Sequence, residues 1–183
     1  MGIAPRNITT RRLLLRPFVR DDTSAYAAIR SKPEVVRYLP GGEGSVDRAH
    51  QIAQRTVQGF ANLWMDPNGP GYGPWAVIER SSGRLIGHLG LRRLPELGDE
   101  TELLYMLDST VWGQGLVSEG ARSARDYGFD RLKLARLIAI ALPDNLASLQ
   151  VMKKIGMTRE PGFVDAFGLK VLRCVMNAGD QRT

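Results

Sequence analysis

The chain has 183 residues, 43% of them apolar and 24% charged, with a formal charge of +6. That is the composition of an ordinary globular domain with room for a sizeable core, and it excludes a repeat array or a low-complexity chain. No apolar run approaches the roughly 18 residues of a membrane span, residues 1–6 lack a signal-peptide core, and a single cysteine, Cys174, fits a reducing cytoplasm.

The positive charge does not read as a nucleic-acid footprint. Basic residues are dispersed, with pairs at Arg11-Arg12, Arg92-Arg93 and Lys153-Lys154, and no RNP, zinc-finger or basic-helix pattern accompanies them. A net positive field serves an anionic cofactor equally well. Neither a membrane nor a specific nucleic acid is expected as partner.

In chain order, Thr9 to Pro17 reads as a first strand, with Leu13 and Leu15 on one face and Arg12, Leu14 and Arg16 on the other. Asp21 or Asp22 is expected to cap a helix through Ala25 to Ile29, and Pro33 to open a short helix ending near Tyr38. Ser45 is placed as the cap of a longer helix carrying Ala49, Ile52, Ala53, Val57 and Phe60. Asp66-Pro-Asn-Gly-Pro-Gly-Tyr-Gly-Pro74 is a turn-rich surface loop. The period then changes to that of strands: 75–80, a turn at Ser81-Ser-Gly83, and 84–94. Gly87 and Gly90 inside the second of these call for a bulge or a close backbone neighbour. Another strand follows at 101–107.

After it comes the stretch on which the reading turns. Gly113 and Gly115 stand just before a run of helical period, so a strand feeds a glycine-flexed helix start, where unpaired N–H groups and the helix dipole favour an anion. A P-loop would need Lys-Ser or Lys-Thr after Gly115, where Leu116 and Val117 stand. A dinucleotide fingerprint would need a third glycine at Ser118 and an acid about 20 residues on, where Arg131, Lys133 and Leu134 lie. The remaining motif, Gln/Arg-x-x-Gly-x-Gly/Ala, fits residues 112–117 in part: Gly115 matches, while Trp112 and Val117 occupy the two outer positions.

The helix beyond carries Val117, Ala121, Ala124 and Gly128 at helical spacing, a small-residue face suited to close packing on a sheet. Residues 134–142 form a nearly continuous apolar strand, as when both faces are covered. Asn145 or Pro143-Asp144 starts a helix ending at Gly156, and runs around Phe163 and over 169–176 suggest a closing hairpin. The order implies an α/β (α+β) fold, a mixed sheet with helices on both faces.

Glu102-Leu-Leu-Tyr105-x-Leu-Asp, Trp112-Gly-x-Gly-x-x-Ser-Glu119 and Pro143-Asp-Asn145-x-Ala-Ser148 together resemble the ribosomal-protein N-acetyltransferase-like branch of the GNAT acetyltransferases. The resemblance spans about residues 8–177, taken as a single domain. It implies a sheet splayed after its fourth strand, with acetyl-CoA in the gap. Trp112 is a common replacement in that branch, whereas Val117 is bulkier than the usual small residue. Residues implied at the cofactor are Met106, Leu107, Trp112, Gly113, Gln114, Gly115, Leu116, Val117, Ser118 and Asn145.

Acetyl transfer to an amine needs a proton acceptor, donors for the developing oxyanion and a stabilised leaving thiolate. Glu102, in an apolar strand, is the candidate base, since desolvation raises a carboxylate pKa; the competing reading is a structural partner for Arg92 or Arg93. Ser148, one turn into its helix, is the candidate donor to the thiolate, against a local helix-start hydrogen bond. Asn145 is a cap on physics alone and a cofactor contact by resemblance. Tyr105 is read first as cleft packing. The backbone N–H groups of Met106 and Leu107 would meet the thioester carbonyl if a bulge frees them, as in the family. His50 and His88 are read as structural and no metal is expected. No Gly-x-Ser-x-Gly elbow occurs, so direct transfer is preferred to an acyl-enzyme, with Cys174 the one residue that could contradict it.

For the acceptor, an α-amine titrates near 8 and a lysine near 10.4, a difference of roughly 3.5 kcal/mol in deprotonation that favours a protein N-terminus. Arg37, Tyr38, Trp64 and Tyr72 lie in the segments that grip the acceptor in the family. The alternatives are an aminoglycoside or polyamine acetyltransferase and a silent CoA-binding sensor. Dimers are frequent in the family, and the last strands offer edges for one.

Overall fold

A computed structural model describes residues 7–66 and 70–180. The readings made for residues 1–6 and for 67–69 of the turn-rich stretch lie outside the described residues. Strands β1 (Ile8–Thr9) and β2 (Leu13–Arg16) lead into helices α1 (Thr23–Arg30), α2 (Pro33–Val36) and α3 (Ala49–Met65). β3 (Pro74–Glu79), β4 (Leu85–Leu94) and β5 (Glu100–Leu107) follow as an antiparallel meander. Next come α4 (Leu116–Asp130), β6 (Arg136–Ala141) and α5 (Leu146–Lys154). Last are β7 (Thr158–Arg159), β8 (Val164–Ala166) and β9 (Leu169–Asn177).

The sheet runs β1-β2-β3-β4-β5-β6-β9-β7, with β8 paired to β9 off this path. β5 and β6 are parallel and share a single register pair, Glu102 with Ile138. Below that pair the strands diverge, which is the expected splay. In chain order it follows the fifth strand, because Ile8–Thr9 forms a short strand of its own.

Alternation divides the side chains between two cores. Leu13, Leu15, Val77, Leu89, Leu91, Leu103 and Leu107 pack with Ala121 and Ala124 of α4. Tyr26, Ile29, Ala53 and Val57 of α1 and α3 pack with Ala76, Ile78 and Met106 on the other face. The small residues of α4 are what allow its approach: a Cβ on Gly120 would lie 3.0 Å from Leu89 Cδ1, and one on Gly128 3.1 Å from Leu91 Cδ1. Gly87 and Gly90 have the close backbone neighbours expected of them. A Cβ on Gly87, at φ +143, would meet the Met106 carbonyl oxygen at 2.1 Å, and one on Gly90 would meet Pro74 Cα at 2.5 Å.

Two expected caps are not made. Asp22 spends its carboxylate on Arg16 and on the Val19 N–H, and gives α1 no side-chain cap. Ser45 lies inside a 3-10 segment, Gly42–Arg48, and donates to the Gly42 carbonyl, so α3 begins at Ala49. In both cases a partner on the N-terminal side takes the side chain from the helix start.

Candidate active site

The divergence of β5 from β6 opens a cavity of about 670 Å³ that reaches both faces of the sheet. On the α1/α3 side it is lined by Tyr26, Arg30, Tyr38, Phe60, His88, Arg92 and Glu102. On the α4/α5 side it meets Trp112, Gly113, residues 115–118, Asn145 and Ser148.

The backbone of β5 forms the wall between. Asp108 N–H donates to the Ile86 carbonyl at 2.8 Å, so by antiparallel alternation the even-numbered amides of β5, Met106 included, face β4. The odd-numbered amides face β6, and past the Glu102–Ile138 pair no strand receives Tyr105 and Leu107. Of the two backbone donors expected at the thioester, Leu107 therefore lies on the open edge and Met106 is turned into the ladder. That corrects the expectation for Met106. The Leu107 carbonyl on the same edge accepts from Trp112 Nε1 at 2.8 Å, which folds the half-exposed indole back over the gap.

The loop after β5 is held by charge. Asp108 accepts the Thr110 N–H and pairs with Lys32 at 2.6 Å. Gly113 and Gly115 both sit at φ +75, the left-handed region that a side chain strains to enter. Gly115 precedes α4 without a side-chain cap, so the first N–H groups of this 15-residue helix face the cavity through Leu116, Val117 and Ser118. An uncapped helix start on the wall of a cleft fits a phosphate-bearing ligand. Glu119, in the first turn, accepts from Thr10 Oγ1 (2.6 Å), Arg12 N (2.8 Å) and Arg12 Nε (2.7 Å), while Arg12 Nη1 reaches the Gln114 carbonyl at 2.8 Å. Burial alone would raise the Glu119 carboxyl, but these donors hold it below its ordinary value. The Gln114 side chain itself stays outside the cavity.

Two ionisable groups face each other across the wall. Glu102 is 5% exposed and pairs with Arg92 Nε at 2.7 Å. Burial raises its carboxyl above the ordinary glutamate value, against the pull of the Arg92 cation. The ion-pair reading is met in the structure, and burial and the Arg92 cation act on the same carboxylate. On the opposite face the Tyr105 hydroxyl is 2.9 Å from Ser148 Oγ and 3.1 Å from the Ser148 carbonyl. Tyr105 does more than pack: burial raises its pKa, so it stays protonated. Asn145 Oδ1 accepts the Ser148 N–H at 3.1 Å and caps α5 while lining the cavity.

Other expected residues lie elsewhere. Tyr72 is in the core, its hydroxyl 2.8 Å from Thr101 Oγ1, and Trp64 is buried beside Trp75 with its N–H on the Pro74 carbonyl. Neither lines the cavity, because both side chains pack into the core. Arg37 is exposed and rests over the Tyr38 ring, 5.5 Å from its centroid; of that pair only Tyr38 lines the cavity. His88 does line the cavity, bonded to the Tyr26 hydroxyl at 2.8 Å and pushed down to about 3 by burial and by the nearby Arg30 and Arg92. Arg12 and Arg30 were not singled out from the sequence. Their partners are distant in sequence, and only the alternation of β2 and the helical phase of α1 could have pointed to them.

The profile described as an acetyltransferase (GNAT) domain matches residues 12–158. The chain belongs to the GNAT acetyltransferase family. It is 33% identical over 158 residues to YnaD of Bacillus subtilis, described as an uncharacterized N-acetyltransferase, covering 86% of this chain and 85% of that one. The crystal structure of a GNAT-family acetyltransferase from Bacillus anthracis superposes with a TM-score of 0.74 at 25% identity, over 94% of this chain and 99% of that one. RimL, described as a ribosomal L7/L12 alpha-N-protein acetyltransferase in complex with coenzyme A, shares the fold with a TM-score of 0.73 at 18% identity, over 94% of this chain and 98% of that one. This GNAT protein is an acetyl-CoA-dependent N-acetyltransferase. Among its described residues no helix is long and apolar enough to cross a membrane, and no group of three or more His, Cys, Asp and Glu is placed to hold a metal ion.

Proposed function

We propose that the acceptor is the α-amine of a protein or peptide N-terminus, in the manner of the ribosomal-protein N-acetyltransferase branch whose motifs the chain carries, and that residues 8–177 form one catalytic unit working in the cytoplasm. One observation carries the choice of acceptor: the charge of the cavity wall. Among the described residues its only carboxylates are Glu34, bonded to Ser109, and Glu102, bonded to Arg92, against Arg30, Arg92 and Lys154. A polyamine or aminoglycoside would enter such a wall with its positive charges unmatched. A single α-amine brings one charge and surrenders it to one base.

In this reading the amides of residues 116–118 and the Gly113–Gly115 loop hold the cofactor's phosphates, and Asn145 and Trp112 border its arm. The bound thioester supplies an acetyl group activated towards amines. Glu102 takes the ammonium proton from the α1/α3 side, directly or through one water, and its raised pKa brings it closer to the amine's. The Leu107 N–H, unclaimed by a strand, faces the carbonyl oxygen on which charge develops. Tyr105 and Ser148 share a hydrogen bond on the α5 side and return a proton to the departing sulfur. The amine nitrogen forms the new bond to the acetyl carbon as the carbon–sulfur bond breaks, and no covalent enzyme intermediate is needed. Cys174, buried on β9 beside Ala139 with its thiol pKa raised by burial, is a core residue.

Radiolabelled acetyl-CoA, incubated with the protein and a cell extract, tests the acceptor. Label should appear in discrete proteins blocked at their N-termini. Label confined to small molecules would contradict the proposal.

A further inference from the structure

Among the described residues, the one buried cation of the cavity wall lacks a counter-ion. Arg30, in the last turn of α1, is 7% exposed and lines the cavity. Among the described residues its Nε has no hydrogen-bond partner, and no carboxylate lies within 4.0 Å of its guanidinium nitrogens. The partners its guanidinium does have are neutral: the Met106 thioether, a weak acceptor 4.0 Å from Nη1, and the Tyr26 hydroxyl. The basic residues around it are matched: Arg16 with Asp22, Lys32 with Asp108, Arg92 with Glu102. Nor is a nearby acid held in reserve, since Asp108 is engaged by Lys32 and Thr110, and Glu34 by Ser109. His88, bonded to Tyr26, is neutral and adds no compensation.

Removing an ion from water without a partner is among the costlier things a fold can do. The helix C-terminus favours a cation, yet this does not require a buried one. An apolar side chain would fill the wall at less cost. What a buried, forked guanidinium offers is a bidentate seat for a planar anion. Its position says when that anion arrives. Arg30 lies on the α1/α3 face, opposite the glycine loop, and touches Met106, the neighbour of the Leu107 amide at the gap. An anion seated there belongs to the acceptor and lies close to its amine.

We infer that the acceptor carries a carboxylate beside the reacting amine and that Arg30 is the specificity residue that binds it. This deepens the N-terminal reading above and rests on it. The carboxylate is an Asp or Glu side chain within the first two residues of a peptide or, from the other possible source, the α-carboxylate of a free amino acid. Arg30 then selects the acceptor while Glu102 deprotonates it.

The test uses the whole protein with acetyl-CoA and two matched pairs: peptides alike except for Asp or Asn as second residue, and a free amino acid against its amide. In the wild type, kcat/KM for at least one carboxylate-bearing member should exceed that of its neutral partner about tenfold or more. Arg30→Met should erase that preference, bringing the ratio within each pair to about one, with CoA affinity and Tm retained. A preference confined to the amino acid, with no peptide labelled, would refute the N-terminal acceptor and keep the Arg30 assignment. Equal rates within both pairs, or a preference that survives in Arg30→Met, would overturn the assignment. Should Arg30→Met fail to fold, the wild-type preference and Arg30→Lys, which keeps charge but loses the fork and should lower the ratio, carry the same decision. If neither pair is turned over, thermal shift with the acetylated Asp and Asn peptides decides: greater stabilisation by the Asp form supports the assignment, and equal shifts overturn it.

Discussion

The two ends of the cleft are built from different materials. The end proposed for the cofactor is backbone: two glycines at positive φ, an uncapped helix start and the open edge of β5. The end proposed for the acceptor is side chain: Glu102, Arg92, Arg30, Tyr26 and His88, which converge from α1, β4 and β5. Backbone donors are indifferent to most substitutions around them, so the first end can serve one ligand in many relatives. Side chains are replaced singly, so the second end can change its acceptor without disturbing the first.

If that division holds, variants should separate by which kinetic parameter they move. Apart from the base itself, the largest effect belongs to Tyr105→Phe, which removes the hydroxyl shared with Ser148; kcat should fall on the order of 10²-fold in steady-state assays with CoA affinity kept. Glu119→Ala unties Thr10 and Arg12 from the first turn of α4, and KM for acetyl-CoA should rise about tenfold by loss of several hydrogen bonds to a charged group, with KM for the acceptor unmoved. Arg92→Met acts on the other end. Without its cation Glu102 should titrate higher still, and since only the ionised form accepts a proton, the acid limb of kcat/KM against pH should move to higher pH. Ser148→Ala should cost a few-fold in kcat, because Tyr105 keeps its bond to the Ser148 carbonyl. Arg37→Ala, on an exposed residue off the cavity, should change neither parameter by more than about twofold.

The same division explains what could be read in the chain. Strands, hairpins and the glycine-flexed helix start follow from local period and turn residues, and Gly87, Gly90 and the small face of α4 announced close packing before any partner was known. The acceptor end was harder. Tyr72 and Trp64 lie in a glycine-rich stretch and the helix before it, and nothing local shows that both turn into the core. The pairing of Glu102 with Arg92 needs the β4–β5 register, and the isolation of Arg30 needs every neighbouring acid to be placed first. Met106 and Leu107 look alike as sequence; the ladder alone decides which amide is free.

The central claim is that an amine entering from the α1/α3 face gives its proton to Glu102 while the acetyl group is presented from the other. The direct measurement is kcat/KM across pH for wild type and Glu102→Gln, beside the Kd for CoA. The account predicts a wild-type rate that falls as pH drops through a carboxyl pKa above the ordinary glutamate value, a loss on the order of 10²-fold or more in the variant without that limb, and an unchanged Kd. A variant as fast as wild type, with the same limb, would contradict it.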